Sequence, residues 1–154
     1  MADVVTNKIK LSIVTPYGKF YDGEVDSAVI PVEDGDLGIM AGHSPVIVGL
    51  VPGIGHYIVS GETKYFVIAE GYAQVEKDSI LIICDSAERP EDIVAYRTID
   101  SYLYFSDLLK SNPNSKEIEA GIKRSLVRMK AIERFADQER KDTLKQLKLE
   151  NNIK

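Results

Sequence analysis

The sequence predicts an N-terminal antiparallel β-sandwich over residues 1–88, followed by a C-terminal antiparallel two-helix hairpin over residues 89–154. Three observations carry this. The first part is built of short apolar runs broken by glycines, ten of them between Gly18 and Gly71. The second part places apolar residues at three- and four-residue steps, the period of a helix with one buried face. The charge divides at the same place: residues 1–90 hold 6 basic against 13 acidic residues, whereas 91–154 hold 13 against 11.

Taken in order, Lys8–Ile13 alternates strictly, as a strand with one covered face should. Glu24–Val32 and Val46–Leu50 follow, then Gly55–Ser60, Thr63–Ala69, Tyr72–Glu76 and Ile80–Asp85. Gly61-Glu62 and Lys77-Asp78 are short enough for hairpin turns. Many short strands at close spacing imply a sandwich or flattened barrel. Beyond Pro90 the pattern changes. Pro90-Glu91-Asp92 reads as a helix start, with Ile93, Tyr96, Ile99 and Leu103 on one face to about Lys110. Ser111-Asn112-Pro113 interrupts it, and Asn114 with Glu117 is spaced like a capping box. A second helix carries Ile118, Ile122, Ser125, Leu126, Met129, Ile132 and Ala136 inward, and the thinly apolar stretch 137–154 is expected to fray or to reach for a partner. A short loop between two such helices makes an antiparallel hairpin.

A fraction of 44% hydrophobic and 28% charged residues is that of a folded globular chain. No apolar run approaches the ~20 residues that a membrane-spanning helix needs. The Met1–Lys8 opening lacks the basic head and apolar stretch of a signal peptide. With one cysteine, Cys84, and hence no internal disulfide, the chain reads as cytosolic. Cys84 itself lies in an apolar run and reads as a small core residue.

A catalytic grouping is not found. His43 and His56 have no metal-ligand spacing, and neither a nucleophile elbow nor a phosphate-binding loop is present. Gly53-Ile54-Gly55 precedes a strand and makes no dinucleotide fingerprint. Glu33–Gly38 lacks the alternating oxygen ligands and the closing glutamate of a calcium loop, and reads as a tight turn. His43 reads either as a turn histidine bonded to local backbone or as a contact residue on an exposed loop. The acidic balance and the want of a basic, aromatic-studded patch argue against nucleic acid.

The run Pro31-Val32-Glu33-Asp34-Gly35-Asp36-Leu37-Gly38-Ile39-Met40-Ala41-Gly42-His43-Ser44-Pro45 resembles the glycine-rich segment of ATP synthase epsilon subunits of bacterial type. Leu50-Val51-Pro52-Gly53, Glu70-Gly71-Tyr72-Ala73-Gln74-Val75 and the opening Lys10–Tyr21 are similar to further parts of that family, so the likeness covers the β portion nearly continuously. It implies a non-catalytic central-stalk subunit of an F-type ATP synthase. The sandwich would bind the gamma subunit and rest on the rotor ring of c subunits, and the helices would restrain ATP hydrolysis by the alpha/beta head. The membrane would be touched only through the complex, at the cytoplasmic face of the bacterial inner membrane. The loop Asp34–His43 aligns with the family's ring-contacting segment, which implicates Asp36 and His43. The basic stripe Lys123, Arg124, Arg128, Lys130 and Arg134 would suit an acidic surface on the catalytic head. Some relatives bind ATP through Ile/Leu-Asp-x-x-Arg-Ala. Here Ile93-Val94-Ala95-Tyr96-Arg97-Thr98 keeps Arg97 but replaces the Asp and the Ala. Arg124 and Arg128 could still meet phosphates, yet with the signature incomplete no cofactor and no metal are expected. The other readings from the residues are a stand-alone ligand-binding β-sandwich with a dimerising tail and a free-standing nucleotide sensor.

Overall fold

A computed structural model describes residues 7–154; the residues before Asn7, part of the opening read for a signal peptide, lie outside the described portion. The chain divides into two compact units with the boundary between Ala87 and Glu88.

The first unit holds strands β1 (Ile9–Thr15), β2 (Gly18–Val25), β3 (Ser27–Val32), β4 (Gly35–Met40), β5 (Val46–Leu50), β6 (Gly53–Val59), β7 (Glu62–Ile68), β8 (Gly71–Val75) and β9 (Ser79–Cys84). A two-residue β10 (Ala87–Glu88) straddles the unit boundary. Hydrogen-bonded neighbours run β7-β6-β3-β5-β8-β9-β1-β2, with β4 added to β3. One pairing differs from the rest: β1 lies parallel to β9, Lys10 opposite Ser79 and Ile13 opposite Ile82, whereas its other neighbour, β2, is antiparallel. The path doubles back as a β-sandwich, so that Tyr21 of β2 stacks on Tyr57 of β6 with ring centroids 4.3 Å apart. Between the layers lie Ile9, Leu11 and Ile13 of β1, Ile30, Phe66 and Ile68, and Ile80 and Ile82 of β9, all buried. That alternation is what places every second residue of β1 and β9 in the core.

Two strands depart from the sequence expectation. Of Glu33–Gly38, expected as a tight turn, only Glu33-Asp34 is one; Gly35–Met40, within the Asp34–His43 stretch expected as a loop, is β4, paired residue for residue with β3 from Val32–Gly35 to Ser27–Met40. Gly35, at φ +129°, takes the turn conformation that a side chain resists, and Ile39 then enters the core. Gly18–Val25 is likewise one continuous strand, with a register shift opposite Ile13 and Val14.

The second unit contains a 3-10 turn at Pro90–Asp92 and helices α1 (Ala95–Ser111), α2 (Lys116–Phe135) and α3 (Gln138–Glu150). The expected hairpin is formed by α1 and α2, which pack on one another across the connection 112–115. Gly121 allows this close approach, lying against the Phe105 ring. Pro90 begins the 3-10 turn rather than α1, whose first residue is Ala95. Ile93 and Ile99 are buried, but Tyr96 is exposed, because Ile93 lies before α1 and the buried stripe of α1 runs through Ala95, Thr98 and Ile99. The cap of α2 is Ser115, whose side chain accepts from the Ile118 amide at 3.3 Å, one residue beyond the expected Asn114. The stretch 137–154, expected to fray or to reach for a partner, contains α3. Ala136 leaves the helical conformation, Asp137 caps the new helix by accepting from Arg140 N at 2.9 Å, and Leu144 is buried.

Candidate functional site

The sandwich carries an apolar outer face. Opposite the core-facing Ile80 and Ile82, the alternate residues of β9, Leu81 and Ile83, point outward and are 36% and 37% exposed. Tyr72 stands directly across from Ile83, and Gln74 from Leu81, on β8. On β5, Gly49 pairs with Tyr72 and Ile47 with Gln74. Tyr72 is 50% exposed and Ile47 72%. Four large apolar side chains thus share one face of three adjoining strands, about 10 Å across at the spacing of sheet neighbours. A strand buried on one face alternates apolar with polar; Ile80-Leu81-Ile82-Ile83 does not, which is the pattern of a strand covered on both faces. That unbroken run is the signal the sequence offers for this face.

The two residues aligned with a ring contact do not form one loop. Asp36, exposed, pairs with Pro31 beside the β3–β4 turn, whereas His43 follows the far end of β4. Four residue steps along the strand, on the order of 13 Å, take the chain from Asp36 to Met40. His43 is held by local backbone. Its amide donates to the Met40 carbonyl at 3.1 Å, its ring Nδ1 lies 2.7 Å from the Ser44 carbonyl oxygen, and the neighbouring Gly42 amide donates to Lys77 O at 2.8 Å.

The basic stripe on α2 splits in two. At 100° per residue, Lys123, Lys130 and Arg134 fall within ~40° of one another, and all three are exposed. Arg124 and Arg128 turn to another side. Arg124 stands over the Phe105 ring, 5.9 Å from its centroid, and Arg128 is ion-paired with Glu88.

Arg128 and Arg97 line a single cleft of about 350 Å³ with Glu88, Asp92, Ile93, Val94, Thr98 and Ser101. Arg124 is not among its lining residues. The positions that depart from the nucleotide signature therefore face this cleft: Val94 presents an apolar side chain, and Thr98 spends its hydroxyl proton on the Val94 carbonyl at 2.9 Å. Glu88 supplies Arg128 with a carboxylate from within the chain. Cys84 is buried, and burial, helped by the nearby Asp85 carboxylate, pushes its thiol from 9.0 up to about 11, which keeps it protonated and unreactive. Among the described residues no group of three or more His, Cys, Asp or Glu is placed to hold a metal ion, and no helix is long and apolar enough to cross a membrane.

Comparison with known proteins agrees with the resemblance. The family profile of the ATP synthase delta/epsilon chain β-sandwich domain matches residues 8–90. The ATP synthase epsilon chain of Trichlorobacter lovleyi is 32% identical over 136 residues, covering 86% of this chain and 99% of its own length. That of Shouchella clausii is 31% identical over 122 residues, covering 79% and 92%. Among solved structures, a chain in the cryo-EM structure of Euglena gracilis mitochondrial ATP synthase superposes with a TM-score of 0.69 at 19% identity, covering 86% of each chain, a likeness of fold. With the profile spanning more than half of the sequence and the Trichlorobacter chain matched over nearly its whole length, this protein belongs to the family of ATP synthase epsilon chains.

Proposed function

We propose that this chain is the epsilon subunit of an F-type ATP synthase, a non-catalytic part of the central stalk that couples ion-driven rotation to ATP synthesis. The observation that carries the reading is the outer face of Ile47, Tyr72, Leu81 and Ile83, a cluster of large apolar side chains left exposed together on one face of the sheet. Its partner is the gamma subunit. Asp36 and His43 are assigned to the rotor ring of c subunits; standing at opposite ends of β4, they would meet it at two separate points. The subunit is peripheral, on the cytoplasmic face of the bacterial inner membrane.

The helical unit restrains ATP hydrolysis. Lys123, Lys130 and Arg134, the last stacked over the Phe135 ring at 4.7 Å, form the exposed ridge offered to an acidic surface of the alpha/beta head, while Arg124 and Arg128 turn toward Phe105 and Glu88. The Arg97–Arg128 cleft holds no nucleotide in this proposal, because Glu88 already neutralises Arg128 and Val94 offers no acceptor.

The test is the ATPase activity of a gamma-containing catalytic head with and without the purified chain. Dose-dependent binding and inhibition are expected, and a chain ending at residue 90 should bind gamma without inhibiting. Absence of binding to a cognate head would sink the stalk assignment. Saturable ATP binding to the isolated chain would overturn the reading of the cleft alone.

A further inference from the structure

The helical unit begins with a lead-in strap, residues 88–93, that has neither α-helical nor extended sheet hydrogen bonding beyond its first residue. Two arginines from different helices hold it. Arg128 of α2 pairs with Glu88 at its start. Arg140 of α3 donates from one guanidinium nitrogen to the carbonyl of Pro90 at 3.2 Å and to that of Ile93. Pro90 O also accepts from Ile93 N at 3.3 Å, so Arg140 lies at the carbonyl end of the 3-10 turn, where a cation is favoured. Pro90 and Ile93 are both buried.

The rest of α3 is lightly attached. Leu144 is its one buried residue, and the Lys148–Glu133 pair at 3.1 Å is an exposed contact. A helix of 13 residues, lysine-rich and with so narrow an apolar stripe, is marginal in water on its own. The two residues between α2 and α3, Ala136 and Asp137, are both extended and supply a joint.

We propose that α3 is a lock on this strap: docking of α3 and ordering of residues 88–93 are one coupled event, joined through Arg140. When α3 lifts, the Pro90 and Ile93 carbonyls lose their cation and the lead-in is freed, while the α1–α2 packing stays in place. This deepens the restraint proposed for the helical unit, and rests on that reading only for its consequence in the complex.

Hydrogen exchange on the full, free chain tests it. In Arg140→Ala, the amides of Asp92 and Ile93, bonded to Arg89 O and Pro90 O, should exchange at least tenfold faster together with those of α3. Amides in the middle of α2 should not change. Arg140→Lys should restore part of the protection. Leu144→Ala, which loosens α3 without touching a polar group, should speed Asp92 and Ile93 as well. Faster exchange in α3 with Asp92 and Ile93 unchanged would overturn the coupling. Faster exchange throughout α2 would make Arg140 an ordinary support of the unit, and would equally overturn it. Either failure on the free chain leaves the stalk assignment standing.

Discussion

Gly121 of α2 lies so close to Phe105 of α1 that a Cβ on the glycine would fall 2.7 Å from three atoms of the ring. Helical propensity alone favours alanine over glycine by about 1 kcal/mol. Here contact wins, since the crowded atoms include Phe105 Cγ, which rotation of the ring about its own axis cannot move away. Gly121→Ala should therefore destabilise the helical unit by roughly 1–3 kcal/mol. Denaturant unfolding followed by far-UV circular dichroism reads this directly, and a neutral or stabilising result would mean that the hairpin opens without cost.

Capping separates Ser115 from Asn114. Ser115→Ala removes the acceptor for the Ile118 amide and should cost about 1 kcal/mol. Asn114→Ala should stay within ~0.5 kcal/mol. Equal losses in the same unfolding assay would contradict the cap as placed.

Cys84 gives the sandwich a pH dependence in alkali. The folded thiol, at about 11, holds its proton more tightly than the ordinary thiol at 9.0. Stability from the protonated thiol is complete below pH 9 and is lost as the pH rises toward 11. Urea midpoints measured from pH 8 upward should fall over that window, and Cys84→Ala should flatten that part of the slope. In native protein the thiol should react slowly with alkylating reagents, and denaturation should abolish the delay.

Asp22 works in the opposite direction at acid pH. Hydrogen bonds from Ser12 at 2.8 Å and from Lys19 hold its carboxyl below the usual value of 3.8. Stability from this carboxylate is present above the ordinary carboxyl range and is lost as pH falls through its lowered value. Ser12→Ala should move the Asp22 titration upward, as followed by carboxyl NMR shifts; an unchanged titration would show that the hydroxyl does not bond it in solution.

Leu81→Asp and Ile83→Asp test the outer face. Both side chains point away from the core but are only 36% and 37% exposed in an interior strand, so each change should cost about 1–2 kcal/mol and leave the sandwich folded. Binding to the gamma subunit should weaken at least tenfold, and retained affinity would move the contact elsewhere on the sandwich.

What the sequence disclosed follows from which interactions are local. Val46–Leu50 could be read to the residue because an apolar run between Pro45 and Pro52 has few alternatives. Gly35–Met40 could not: two glycines and an aspartate have poor strand propensity, and only the pairing with Ser27–Val32 makes them a strand. Helix α3 was hidden for a similar reason, since its stripe amounts to Leu144 and its start depends on Asp137. Arg97 and Arg128 line one cleft without Arg124, and the pairing of Arg128 with Glu88, forty positions away in sequence, has no local signal.

The parallel pairing of β1 with β9 sets a schedule for synthesis. Lys10 leaves the ribosome early, while its partner Ser79 is still 69 residues from being made. At roughly 5–20 residues per second, β1 and β2 wait about 3–14 s as an unclosed pair. The apolar inner side of β1 stays uncovered by β9 through that interval. Closure is thus tied to the emergence of Ile80–Cys84, and β9 completes both the core and the apolar outer face in the same step. A chain arrested before that point would expose its sticky side to chaperones, whereas one arrested after it would already carry a finished sandwich.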